Sequence, residues 1–178
     1  MKKNTKKSVF LSIMVAQSLV LYLVEAMLPP LAFIAPGAKL GLSNIITLSM
    51  LYLSGPMDAL IVLLLRIFIS SLLGGGVSAL IYSLFGGGMS LIAMSFAKKL
   101  HRLDISIVGV SVCGALFFNF GQLLAAALII ANPRIFVYLP VLSYVSVGTG
   151  IFVGLVSGAL VAKMPKRYFQ HFDHQPEK

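Results

Sequence analysis

The chain has 178 residues, of which 58% are hydrophobic and 11% are charged, and its mean hydropathy is +0.98. Soluble domains carry about a quarter charged residues, so this composition excludes an ordinary soluble domain and indicates an integral membrane protein. The formal net charge of +9 is divided among short segments without a continuous basic face, which argues against nucleic-acid binding.

Long apolar runs predict six membrane spans and an all-α fold, a six-helix bundle. A span needs about 20 apolar residues to cross the hydrocarbon, and the second run is too short to cross untilted. The predicted spans, in chain order, are Val9–Leu28, Leu42–Leu53, Met57–Leu73, Val77–Ala97, Ile105–Ala131 and Val137–Ala162. The domain organisation that follows is a basic arm over residues 1–8, one membrane domain over 9–162 and a tail over 163–178.

The basic residues predict the orientation in the cell membrane. With the N-terminus in the cytoplasm, eleven of the fourteen Lys and Arg residues lie on the cytoplasmic side and two, Lys39 and Arg134, on the outer side. This positive-inside bias, together with six spans, places both termini in the cytoplasm. A cleaved signal peptide is the alternative for the first span, but Glu25 interrupts its apolar run and no small-residue cleavage site follows, so we expect a retained helix.

Polar residues inside the spans predict a ligand-binding cavity that opens outward. Arg66 lies about 13 Å along the third span, near the membrane midplane, where a charge marks a functional site or a buried ion pair. The other groups expected at similar depth or at the rim are Glu25, Lys39, Asn44, Asn119, Gln122, Tyr144 and Thr149. In the structural alternative, Arg66 only pairs with Glu25, and the two amides of the fifth span bridge helices.

The stretch APGAKLGLSN, residues 35–44, is expected to form the lid and rim of this cavity rather than a plain connector. Its glycines allow irregular backbone, which at membrane depth must be buried in protein or face water. Small residues recur at four-residue spacing at Gly150, Gly154 and Gly158, and at Ser12 and Ala16. Such stripes pack helices closely, either within the chain or against a partner subunit; Ser12 and Ala16 are the candidate partner-docking residues.

Catalytic and metal-binding patterns do not occur in the sequence. The five acidic residues share no helical face, and no DDxxD-type pair could hold magnesium on a diphosphate. No Walker loop is present, and the single cysteine lies within an apolar run. We therefore expect no enzymatic activity, no metal site and no identifiable cofactor other than a bound quinone, isoprenoid or flavin.

Four segments carry a family resemblance: PGAKLGLSN, LYLSGPMDALIVLLLR, GVSVCGALFFNFGQL and YLPVLSYVSVGTG. Together they resemble the Gx transporter family, often labelled heptaprenyl diphosphate synthase component I. That family is similar to the substrate-binding S components of energy-coupling factor transporters. The resemblance implies a six-helix protein with an outward-facing pocket, and a possible association with flavin-based extracellular electron transfer.

Three functions remain open at this point. The first is a binding or transport subunit for an isoprenoid-, quinone- or flavin-like amphiphile, working with an energy-coupling membrane subunit and ATPases. The second is a scaffold or quinone-binding subunit for an extracytoplasmic flavin-binding protein. The third is a non-catalytic accessory component of heptaprenyl diphosphate synthase. All three are membrane-embedded, so the lipid bilayer is a partner in each.

Overall fold

The computed structural model describes residues 2–27, 41–100 and 105–164, and within these ranges the protein is helical, with side chains described except at residues 2–4, 74 and 75. The helices are α1 Lys2–Met27, α2 Asn44–Leu53, α3 Pro56–Ser70, α4 Gly76–Lys99, α5 Ile107–Ile130 and α6 Leu139–Lys163. A π-helical turn, Ser71–Gly75, joins α3 to α4, and a 3-10 helix, Pro133–Tyr138, precedes α6. The predicted six-helix all-α fold is confirmed.

Local sequence signals explain several helix ends. Pro56 occupies the first turn of α3, where its missing N–H is not needed. The hydroxyl of Ser106 caps α5 by accepting from the Gly109 N–H at 3.2 Å. Ala131 ends α5 in the left-handed conformation, with φ of 52°. The three consecutive glycines 86–88, in contrast, do not interrupt α4.

Contacts between helix ends place both described termini at the same end of the bundle. Lys7 of α1 forms an ion pair of 2.8 Å with Asp58 at the start of α3. At the same end, the Nζ of Lys98 in α4 donates to the carbonyl of Leu51 in α2 at 2.7 Å. The end of α6 packs on the start of α5, where a Cβ at Gly158 would lie 3.2 Å from Ile107. We call this the basic end, because Lys7, Lys98 and Lys163 all lie there.

Helix α2 departs from the expectation of a crossing helix. Within the described ranges, five helical segments are long and apolar enough to span a membrane, whereas α2 has ten residues, or about 15 Å. Eight of those ten residues are buried. An apolar helix buried on all sides belongs to a protein interior rather than to a lipid-facing surface. The predicted second span is therefore a short central helix, which the other helices surround.

Close backbone packing joins α4, α5 and α6. A Cβ at Gly121 of α5 would lie 2.5 Å from the carbonyl oxygen of Phe85 in α4. On the other face of α5, Cβ atoms at Gly150 and Gly154 of α6 would each lie 2.7 Å from a backbone Cα. The α6 stripe of small residues thus packs within the chain, which confirms the intramolecular reading of that stripe.

Candidate functional site

The backbone just before α2 is held by a carboxylate from α1. The N–H of Gly41 donates to Oε1 of Glu25 at 2.5 Å, and the N–H of Leu42 donates to Oε2 at 3.1 Å. Gly41 has φ of +79°, a left-handed conformation that favours glycine. Glu25 is 8% exposed. The carboxylate therefore satisfies two backbone donors that water cannot reach in the hydrocarbon.

Arg66 of α3 lies beside the start of α2 and is 3% exposed. Its Nη1 donates to the hydroxyl of Ser43, the residue that precedes α2, and the guanidinium interacts electrostatically with Glu25. Its Nε and Nη2 have no hydrogen-bond partner among the described residues. Arg66 lies about 15 Å along the helix axis from the first residue of α3. This rise is about half the thickness of the hydrocarbon layer. A buried cation with free donors is costly unless a further acceptor joins it.

Two of the α4 glycines make room for this site. A Cβ at Gly87 would lie 3.6 Å from Nη2 of Arg66 and 2.9 Å from the Leu63 side chain. A Cβ at Gly86 would lie 3.0 Å from Cγ of Gln122. The absence of side chains at these positions therefore allows α4 to approach both the guanidinium and the predicted amide of α5.

Asn119 has a different position from the one that the cavity prediction requires. Its Nδ2 donates to the Ser146 hydroxyl at 2.6 Å and reaches the Leu142 carbonyl at 3.4 Å, both on α6. The Ser146 hydroxyl itself donates to that carbonyl at 2.7 Å. Asn119 thus joins α5 to α6, as the structural alternative describes. Gln122, one turn further along α5, is buried at 3% exposure and packs against Gly86.

A small cavity lies beside the first turn of α2 and is also lined by residues of α4, α5 and α6. Its volume is about 10 Å³, room for about one water molecule. Three of its lining atoms are buried and have no partner among the described residues: the Asn44 Oδ1, the Ser90 hydroxyl and the Ser111 hydroxyl. Asn44 was predicted as a site residue. The serines were missed, because serine is common in membrane helices and its spacing alone does not distinguish a site from packing.

Other predicted site residues lie elsewhere. Lys39 and the stretch APGAKL are outside the described residues, which begin again at Gly41. Tyr144 was expected in the cavity, but this was wrong: it is 84% exposed, because its position on α6 faces away from the bundle. Ser12 and Ala16 lie on an exposed face of α1, where the Ser12 hydroxyl donates to the Ser8 carbonyl at 3.0 Å.

The fold and this site define a class of protein: a multi-pass helical membrane protein with a polar interior built around one buried arginine. Its particular family follows from the sequence. The chain belongs to the heptaprenyl diphosphate synthase component I family, whose family model matches residues 14–160, which confirms the resemblance. No curated protein and no solved structure matches the chain.

Proposed function

We propose that the protein is a membrane-embedded binding or transport subunit for a small amphiphile with a polar or anionic head group. The observation that carries this proposal is Arg66, a deeply buried guanidinium whose Nε and Nη2 have no hydrogen-bond partner among the described residues. An acceptor oxygen of a ligand would supply those hydrogen bonds, and its negative charge would lower the cost of the buried cation. Glu25, Asn44 and Gln122 are the further polar groups proposed around the head group, with Lys39 at the rim.

The ligand class follows from the surroundings of Arg66. The guanidinium is planar, permanently charged and suited to two-pronged recognition of phosphate or carboxylate. Apolar side chains such as Leu63 and Ile67 pack beside it on α3. A polar head next to apolar walls suits an isoprenoid-, quinone- or flavin-like molecule, and the family's description names an isoprenoid diphosphate.

The orientation and partners belong to the same proposal. Both described termini lie at the basic end. From the positive-inside rule we expect that end to lie on the cytoplasmic side of the cell membrane. The outer end then faces the ligand's source. An energy-coupling membrane subunit with ATPases would make the protein a transporter component, whereas an extracytoplasmic flavin-binding partner would make it part of an electron-transfer system.

A second candidate function is favoured by the family's description. As a component of heptaprenyl diphosphate synthase, the chain would serve as a non-catalytic membrane subunit that receives or holds the isoprenoid. The two carboxylates among the described residues lie near opposite ends of the membrane domain: Glu25 is beside the start of α2 and Asp58 is at the basic end. They therefore do not form a pair, which fits a non-catalytic subunit. Co-purification of a soluble prenyltransferase would favour this role over transport.

The test of the main proposal is native mass spectrometry of the protein purified in lipid nanodiscs. We expect a co-purified amphiphile on the wild-type protein and its loss from Arg66→Ala. Loss of a charged contact costs about 2–5 kcal/mol when the partner charge stays buried, which corresponds to at least about 30-fold weaker binding. Arg134→Ala is the matched control, because Arg134 is exposed on the 3-10 helix.

A double variant separates ligand binding from simple charge neutralisation. If Arg66 serves only to neutralise Glu25, Arg66→Ala alone should reduce the amount of folded protein, and Arg66→Ala with Glu25→Gln should restore both folding and the bound molecule. On the proposal, the double variant folds, but its occupancy by the amphiphile stays below that of the wild type because the Arg66 contact is still missing. Retention of the amphiphile at wild-type occupancy in the double variant would contradict the proposed function.

A further inference from the structure

We propose that Glu25 is an internal competitor of the ligand: its carboxylate occupies the backbone donors at which the anionic head group binds. This inference rests on the proposed function and deepens it. It changes the role expected for Glu25, because a direct contributor to binding and an internal competitor give opposite effects when the carboxylate is neutralised.

The backbone before α2 has the geometry of an anion site. Gly41 is left-handed at φ +79°, and Ser43 is right-handed at φ −62°. The successive N–H groups of Gly41 and Leu42 converge on one carboxylate, and convergent backbone N–H groups of this kind form anion-binding concavities. The same donors lie at the positive end of α2, which attracts negative charge further. Two oxygens of Glu25 accept the Gly41 and Leu42 N–H groups at 2.5 and 3.1 Å.

A second observation supports the binding of an anion at this position. Ser43 does not cap α2 with its side chain, because its hydroxyl accepts from Nη1 of Arg66 instead. The guanidinium is therefore fixed next to the same turn, with Nε and Nη2 buried and without partners among the described residues. Two backbone N–H groups and two guanidinium nitrogens thus lie near the residues that precede α2. Glu25 satisfies the backbone donors and leaves these guanidinium donors unsatisfied.

A head group that uses both sets of donors must displace Glu25. Two negative charges in a site of low dielectric repel each other strongly, so the carboxylate and an anionic head group cannot share the Gly41 and Leu42 N–H groups. When the ligand is absent, Glu25 satisfies those donors and prevents buried N–H groups from remaining unpaired. When the ligand binds, its phosphate or carboxylate oxygens take the place of the Glu25 oxygens and also reach Arg66.

The experiment measures binding of dodecyl phosphate to the purified full chain in nanodiscs of uncharged phospholipid, with dodecanol as the uncharged comparison ligand. We expect Glu25→Gln to bind dodecyl phosphate at least about tenfold more tightly than wild type, because the competing charge is gone. Binding of dodecanol should not change between the two. Asp58→Asn is the matched control: Asp58 is also a buried carboxylate, but it pairs with Lys7 at the basic end, and its loss should leave dodecyl phosphate binding unchanged.

Further variants keep the outcomes distinct. If Glu25→Gln does not yield folded protein, Glu25→Asp retains the charge but is one methylene shorter, so it should hold the backbone donors less well and also tighten binding. Weaker or unchanged dodecyl phosphate binding in the folded Glu25 variants would overturn the competitor role. Arg66→Gln tests the proposed function separately: undiminished dodecyl phosphate binding by that variant, or no binding by wild type and every variant, would overturn the function itself.

Discussion

The helices in the first half of this membrane domain, α1 to α3, contact one another in a different way from those in the second half, α4 to α6. In the first half, α1, α2 and α3 meet through polar contacts of Glu25, Ser43 and Arg66, and through the Lys7–Asp58 ion pair at the basic end. In the second half, α4, α5 and α6 meet through glycines that bring backbones into contact, and their packing is far more extensive.

The difference indicates which half can respond to a ligand. Backbone contacts at glycines cannot move apart gradually, because close-packed interiors tolerate little deformation. Hydrogen bonds from a carboxylate to a backbone segment, in contrast, can be exchanged for bonds to another anion with little change in packing. We therefore assign rigidity to the glycine-packed half and ligand recognition to the polar half, with α2 between them.

The largest expected effect is on the glycine-packed half. Gly121→Val should destabilise the protein by about 3 kcal/mol or more, because its Cβ would meet the Phe85 carbonyl oxygen at 2.5 Å and neither backbone can yield. The measurement is the apparent Tm of the purified protein in detergent. Gly88→Ala is the control, since a Cβ at Gly88 has no atom within 4 Å. Equal Tm values for the two variants would refute the rigid-backbone interpretation.

An intermediate effect is expected at the amide that links α5 to α6. Asn119→Ala removes the bonds to Ser146 and Leu142, and interhelical hydrogen bonds of this kind contribute about 0.6–1.7 kcal/mol. We expect a lower Tm with dodecyl phosphate binding changed less than about twofold, because the amide group contacts α6. A double-mutant cycle with Ser146→Ala measures the coupling. A large loss of binding at unchanged Tm would instead return Asn119 to the ligand site.

The smallest effect is expected at the basic end. Lys7→Ala breaks the ion pair with Asp58, but the Lys7 side chain is 40% exposed, so solvent and salt screen the attraction. A partly exposed pair contributes about 0.2–1 kcal/mol. The difference in Tm from wild type should shrink as salt is raised. A Tm difference that persists at high salt would show that the ion pair is effectively buried. The pair would then hold α1 more firmly than we expect of a partly exposed ion pair.

Part of the candidate site could be predicted from the sequence. Arg66, Glu25 and Asn44 stand out because a charge or amide in an apolar run has few reasons to be there. Serines carry no such signal: Ser43 became significant only through its contact with Arg66, and Ser90 and Ser111 only through a shared cavity. Tyr144 shows the reverse error: its position along the sixth span suggested a site, but that position does not predict the direction of the side chain, which is 84% exposed.

Composition and hydropathy by themselves determined the class of protein, the helical fold and the approximate span boundaries, because the membrane requires every backbone group to be satisfied within a helix. The family followed from the resemblance of four sequence segments and from the family model that matches residues 14–160. Only the tertiary structure decided that the short helix α2 is buried, that Gly86 and Gly87 admit neighbouring side chains, and that Glu25 binds backbone N–H groups. These features depend on which faces of different helices meet. Contacts between residues distant in sequence, such as Glu25 with Gly41, are set by packing, which no local pattern encodes.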